Sequence, residues 1–177
     1  MKEWPKEIIN IAKAIKLVIM DVDGVLTDGG LYFTDDGREI KKFNVKDGLG
    51  MTWLMQSGIE VAIITGRTSV IVAERMKSLG INHVYQGRMN KLETYNNLKQ
   101  ALDIDDSQVA YIGDDLIDVP ILKRCALPCT VADAHHFAKE HALIEFERNG
   151  GCGSARMLCD LILQAQDKFQ PILDKYQ

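Results

Sequence analysis

From Lys16 onward the chain alternates short apolar runs rich in β-branched residues with longer stretches of helical period, and this alternation restricts its fold more than any other feature. The runs Lys16–Val22, Val61–Thr65, His83–Tyr85, Val109–Ile112 and Leu127–Val131 read as strands, with a further one near Leu143–Phe146. Between them Gly48–Gln56, Ser69–Leu79, Lys91–Leu102 and Leu116–Cys125 carry apolar residues at helical spacing, as with Met76 and Leu79, three apart. The class is α/β: a Rossmann-like parallel sheet flanked by helices.

Two segments depart from this rhythm. Residues 30–45 hold two short alternating runs around Asp35-Asp36-Gly37, the signature of a β-hairpin, here a flap projecting from the core. The other begins at Glu147, where RNGGCGSARM leads into a C-terminal packing helix from near Ser154, with a flexible entry. No repeat, linker or charge block marks a second unit, and 177 residues fit one domain, 1–177, with a C-terminal helix and tail over about 153–177.

The formal net charge of −4 argues against a nucleic-acid binder, which displays a basic face. No apolar run approaches the ~20 residues that span a bilayer. The opening MKEWPKEIIN lacks the pattern of a secretory signal, so a cytoplasmic location is expected. There the four cysteines, Cys125, Cys129, Cys152 and Cys159, remain reduced, and their spacing suits small buried hydrophobes better than a zinc site.

The chemistry concentrates at strand ends, where open α/β sheets place their ligands. DVDGVLTD, Asp21 to Asp28, directly follows the apolar LVIM, and a carboxylate pair there implies a divalent metal to offset repulsion. Thr65 follows VAII and opens the turn TGR, offering a hydroxyl and N–H groups at a helix start, a place that favours anions. Lys91 begins a helix, where a cation conflicts with the helix dipole unless an anion lies nearby. GDDLID after VAYI adds Asp114, Asp115 and Asp118.

An acid pair, a hydroxyl, an ammonium and further acids, in that order, resemble the haloacid dehalogenase superfamily of phosphotransferases. DVDGVLTDG, the hairpin, FNVKDGLG, IITGR, YQG…NKL, GDDLIDVP and VADAH resemble its capless subgroup, which includes the 3-deoxy-D-manno-octulosonate (KDO) 8-phosphate phosphatases, from about Lys16 to Gln164. The resemblance implies that Asp21 is the nucleophile forming an aspartyl phosphate, and that Asp23 is the general acid and base. It implies Mg2+ held by Asp21, the Asp23 backbone carbonyl and Asp114, with Asp115 and Asp118 orienting that set. Thr65, Gly66 and Lys91 would bind the transferring phosphoryl group.

No cap domain fits between the motifs, so the resemblance implies closure by a neighbour, through hairpins associating in a homotetramer. Leu31, Phe33, Ile40, Phe43 and Val45 give the flap apolar surface for this. The substrate expected is a sugar-acid phosphate, bound by Asp23, Arg67, Arg75, Lys91 and the segment Asn44-Val45-Lys46-Asp47-Gly48. The resemblance further implies, from the Arg that follows TG, here Arg67, the eight-carbon acid rather than a nonulosonate 9-phosphate, the alternative substrate. An alternative of another class is a receiver-like phospho-Asp signalling module. GGCGSARM departs from the subgroup's GGxGAVRE at Cys152, Ser154 and Met157 while keeping Arg156, which puts the tail's contribution in question.

Overall fold

Strand β1 (Leu17–Met20) occupies the middle of a six-stranded sheet in the computed structural model, which describes residues 3–176. In chain order the elements are α1 (Lys6–Ala14), β1, β2 (Tyr32–Phe33), β3 (Glu39–Ile40), α2 (Val45–Gln56), β4 (Glu60–Ile64), α3 (Val70–Leu79) and β5 (His83–Tyr85). They continue with α4 (Lys91–Leu102), β6 (Val109–Ile112), α5 (Val119–Leu122), β7 (Leu127–Thr130), α6 (His136–Lys139), β8 (Ile144–Glu145), α7 (Ser154–Ala165) and α8 (Gln170–Leu173). The sheet order is β5-β4-β1-β6-β7-β8, every pair parallel. The chain leaves β1 in one direction to β4 and later returns to its other side as β6, so a topological switch point opens beyond the carboxyl end of β1.

Strand period two sorts the apolar residues into two cores. Val18, Met20, Val61, Ile63, Ala110 and Ile112 face the layer formed with α1, α2, α3 and α7. Leu17, Ile19, Ala62, Ile64, Val109 and Tyr111 face Tyr95 and Leu98 of α4 together with α5 and α6. Strands covered on both faces read as unbroken apolar runs, which is why LVIM and VAYI show no polar alternation. Cys125, Cys129 and Cys159 are free and buried, Cys152 free and exposed.

The structure corrects several local expectations. The stretch expected as one helix over Leu116–Cys125 divides into a 3-10 turn, Leu116–Asp118, and the four-residue α5, because Asp118 turns back to accept the N–H groups of Asp114 and Asp115. Thr65 does not open a helix: α3 starts after Ser69, and the Thr65 N–H donates to the Tyr85 carbonyl at 3.0 Å. Helix α1 lies ahead of the alternating pattern and buries Ile8 and Ala12.

The hairpin is short, two residues paired on each side, closed by Thr34 and Arg38 with Gly37 at φ +81°. It forms its own two-stranded sheet and leaves Leu31, Phe33 and Ile40 more than half exposed, while Phe43 packs on the core. The entry to α7 is not loose. Gly150, Gly151 and Gly153 are buried, and the Gly151 N–H donates to the Val25 carbonyl at 2.9 Å.

Candidate active site

Asp21 is the first residue past β1 and only 4% exposed; its N–H donates to the Ile112 carbonyl at 3.0 Å, carrying the ladder one step past the strand. The Val22 carbonyl then accepts from Val25, Leu26 and Thr27, winding the chain into a tight turn. Gly24 sits in this turn at φ +94°, and a Cβ there would stand 2.1 Å from Asp114 Oδ2, so glycine is what lets the two acidic segments meet. Beside them Asp21, Asp23, Thr65, Gly66, Arg67, Asp114 and Asp115, with Met89 and Ile117, line a cavity of about 220 Å³.

Lys91 is the first residue of α4 and its side chain is fully buried. Its ammonium lies 2.9 Å from Asp21 Oδ1 and 2.6 Å from Asp118 Oδ1, which resolves the conflict of a cation at a helix start. Burial pulls the Lys91 pKa down, but Asp21 and Asp118 outweigh it and hold the ammonium charged. Asp118 has no spare capacity: Oδ1 takes Lys91 and the Tyr111 hydroxyl, and Oδ2 takes the N–H groups of Asp114 and Asp115 at 3.0 and 3.1 Å. It therefore fixes the ammonium and the acidic loop together.

Carboxylate oxygens of Asp21, Asp114 and Asp118 lie within 4.8 Å of one another. Burial, reinforced by Asp118 and offset by Lys91, pushes Asp21 up to about 6. Burial and the charges of Asp21 and Asp118 push Asp114 up to about 8. Asp114 Oδ1 is buried without a hydrogen-bond partner; Asp21 Oδ1 also makes no hydrogen bond of good geometry, despite its ion pair with Lys91. Two crowded carboxylates with spare oxygens fit a hard divalent cation such as Mg2+, whose charge would relieve the repulsion.

On the hairpin side the Lys41 side chain, 1% exposed, pairs with Asp23 Oδ1 and lies 3.4 Å from Glu39 Oε1. Glu39 also accepts from Arg67 at 3.1 Å and from the Ser69 hydroxyl at 2.6 Å, and the latter bond leads the causes that hold its pKa low. Arg67 Nε stands 3.7 Å from Asp23 Oδ2. Chemically, the site offers a buried carboxylate nucleophile held by an ammonium, a second acid two residues on, and a place for a cation between Asp21 and Asp114.

Residues 75–158 match the family model of the haloacid dehalogenase-like hydrolases. Over 93% of its length the chain is 47% identical to the 3-deoxy-D-manno-octulosonate 8-phosphate phosphatase KdsC of Yersinia pestis, covering 88% of that protein. The chain belongs to this phosphatase family. The crystal structure of a Moraxella catarrhalis member, in complex with magnesium ion, phosphate ion and KDO, is 41% identical. It superposes with a TM-score of 0.95 over 98% of this chain and 100% of that one. A probable phosphatase of Pseudomonas syringae, 48% identical, gives the same TM-score over 97% of this chain and 98% of its own.

In this family member the expected site residues separate into two groups. Asp21, Asp23, Thr65, Gly66, Arg67, Asp114 and Asp115 line the cavity, with Lys91 and Asp118 directly behind it. Arg75 and Asn44 to Gly48 do not line it. Asp47 is 1% exposed and accepts the Arg156 N–H at 2.8 Å, tying the start of α2 to the start of α7. Gly48 is buried under Arg75, whose Nη2 would lie 2.4 Å from a Cβ there. Asn44 caps α2 through the Lys46 N–H and donates to the Gly151 carbonyl at 3.4 Å, leaving Val45 and Lys46 exposed. Arg156 is held by Asp160 at 2.6 Å and stacks on the Trp53 ring at 4.2 Å, so in this conformation it serves its own subunit's packing.

Sequence reasoning missed Lys41, Glu39 and Tyr111. The first two carry a readable signal, an acid and a base two apart in a hairpin strand and so on one face. Tyr111 shows none, because an aromatic residue in a central strand reads as core.

Proposed function

We propose that the chain is a single hydrolase domain, 1–177, that cleaves 3-deoxy-D-manno-octulosonate 8-phosphate to KDO and phosphate with Mg2+ bound. The observation that carries this is the near full-length likeness to named phosphatases of this substrate, together with Asp21, Asp23, Thr65, Lys91, Asp114, Asp115 and Asp118 at or directly behind one cavity. Membership of this family also leaves the receiver-like reading without support.

Asp21 and Asp114, with the Asp23 carbonyl, would hold the ion, which supplies positive charge against the phosphoryl oxygens when bound. Lys91 keeps Asp21 ionised and aimed, and its charge remains to meet the phosphoryl group. Asp21 attacks phosphorus, and Asp23 protonates the departing ester oxygen, then takes a proton from the water that cleaves the aspartyl phosphate. Thr65 and Gly66 bind phosphoryl oxygens. Asp115 and Asp118 keep the acidic loop in place, and Arg67 receives the sugar-acid carboxylate.

The cavity of about 220 Å³ is smaller than the ~300–1,000 Å³ usual for ligand sites, so the sugar needs a further wall. The exposed Leu31, Tyr32, Phe33 and Ile40 suit a homotetramer in which hairpins supply that wall. There Val45, Lys46 and Arg75 complete substrate binding across subunits, with Asn44, Asp47 and Gly48 setting the backbone beneath them. Among the described residues no helix is long and apolar enough to cross a membrane, and we assign a cytoplasmic setting without nucleic-acid partners.

The test is Mg2+-dependent phosphate release from a panel of KDO 8-phosphate, nonulosonate 9-phosphates and simple sugar phosphates. Preference for the octulosonate is expected. Preference for a nonulosonate would keep the chemistry and replace the substrate, and no release from any ester would overturn the reading.

A further inference from the structure

The hairpin carries one residue that points the wrong way for a surface flap. Ile40 is 51% exposed, while the next residue, Lys41, turns inward until its side chain is 1% exposed. A lysine gives up its hydration only for compensating charge. Here its ammonium faces Asp23 Oδ1 and Glu39 Oε1, and Glu39 is itself anchored by Ser69 and Arg67 from the turn after β4. Hairpin, nucleophile loop and β4 turn are thus joined through one buried cation. Arg67, beside the other Asp23 oxygen and bonded to Glu39, is 46% exposed at the side chain and so keeps one face open to the cavity.

We propose that Lys41 is a positioning residue for the general acid: it fixes the Asp23 carboxyl so that its proton lies toward the departing ester oxygen. This rests on the phosphatase reading and adds a residue to it. In the first step an Asp21 oxygen bonds to phosphorus and the phosphorus–ester oxygen bond breaks. The ester oxygen takes the Asp23 proton, and Asp23 becomes a carboxylate. The negative charge that develops on Asp23 meets the Lys41 ammonium, an interaction stronger in the transition state than before it. Lys41 does not line the cavity, and its contact with the reacting groups runs through Asp23.

This separates from a merely structural role by the leaving group. Departure of a sugar alkoxide needs a proton, whereas p-nitrophenolate leaves readily without one. The measurement is kcat/KM, which covers phosphoryl transfer to Asp21, for Lys41→Met on both KDO 8-phosphate and p-nitrophenyl phosphate. General acid catalysis contributes roughly 10²–10⁴-fold, and misplacing the acid forfeits part of that, so the loss on the sugar phosphate should exceed the loss on the aryl phosphate at least ~10-fold. Lys41→Arg, which keeps the cation, should recover most of the difference. Equal losses on both esters would overturn the positioning role while leaving the phosphatase reading intact. Wild-type protein that released phosphate from neither ester would instead overturn that reading. Should Lys41→Met fail to fold, Lys41→Gln removes the charge, keeps a polar group facing Asp23 and leaves Glu39 holding Arg67. The same selective loss is expected from it, and equal losses would again refute the role.

Discussion

Replacing Gly150 by alanine tests whether the C-terminal glycine loop supports the nucleophile turn. A Cβ at residue 150 would lie 1.9 Å from the Gly24 carbonyl oxygen, 2.5 Å from the Gly24 carbonyl carbon and 2.8 Å from the Thr27 carbonyl oxygen. Ordinary contact begins at 3.4 Å, so the two backbones must separate by about 1.5 Å. Neither can retreat freely, since the Gly150 N–H is held by Asp133 at 2.9 Å and the Gly151 N–H by Val25 at 2.9 Å. Overpacking costs about 1–3 kcal/mol, and a clash of backbone with backbone belongs near the upper end. For a chain of this size each kcal/mol lowers Tm by about 2–4 °C, so a fall of about 6–12 °C is expected by thermal denaturation. The displaced turn carries Asp21 and Asp23, and a shift of about 1 Å in such groups costs about 10²-fold in turnover. Gly58→Ala is the control: its Cβ meets nothing within 4 Å, and at φ +76° it costs only the ~1–2 kcal/mol of a left-handed residue, so stability falls while turnover holds. Wild-type Tm and turnover in Gly150→Ala would refute the argument.

Asp21→Asn should abolish phosphate release, and Asp23→Asn should reduce it by about 10²–10⁴-fold on the sugar phosphate, measured by steady-state release; wild-type turnover in Asp21→Asn would exclude it as nucleophile. Saturating Mg2+ should raise Tm, by an amount equivalent to about 2.7 kcal/mol at a hundredfold excess over Kd, and Asp114→Ala should remove most of that rise in a calorimetric scan. Asp47, pushed by burial from 3.8 to about 6, binds a proton in the native state that the unfolded chain has already lost. Its contribution is therefore greatest below pH 4 and falls by about 3 kcal/mol as pH rises through 6. Asp47→Asn should flatten the pH 4–6 segment of the denaturant-stability curve relative to wild type, and identical slopes would show that Asp47 titrates normally.

Features set by local chemistry were legible in the sequence. β5, β6 and α4 fall on the expected residues because His83–Tyr85, Val109–Ile112 and Lys91–Leu102 are bounded by turns or caps that end them. Asp21, Asp23, Thr65, Lys91 and Asp114 are readable as a site because parallel topology brings the carboxyl ends of β1, β4, β5 and β6 to one side of the sheet whatever the loops do. The inward turn of Asp47 is not legible, for the opposite reason. Its neighbours Val45 and Lys46 are exposed, and nothing within the segment reveals that one carboxylate turns inward to α7, 109 positions away. The spacing of Glu39 and Lys41 is legible, but the burial of Lys41 is not, because it depends on Glu39, Ser69 and Asp23 meeting across three segments.

These contacts explain how the altered tail still supports the turn beneath Asp21 and Asp23. GGCGSARM meets the rest of the chain through its glycine backbones, through the Arg156 N–H and through small buried atoms. Gly150 lies against Gly24, Gly151 bonds to Val25, and the Ser154 hydroxyl donates to the Arg148 carbonyl at 2.7 Å. Cys152 points to solvent, and Met157 packs beside the core where a flexible apolar chain fits irregular space. What the turn at Gly24 demands of the tail is two residues without a Cβ and a helix start near Asp47, and both are kept. Of the residues that vary, Cys152 lies at the outer surface, Met157 beside the core and Ser154 within it with its hydroxyl taken up by Arg148, so the departure from GGxGAVRE spares the glycine backbones that support Asp21 and Asp23.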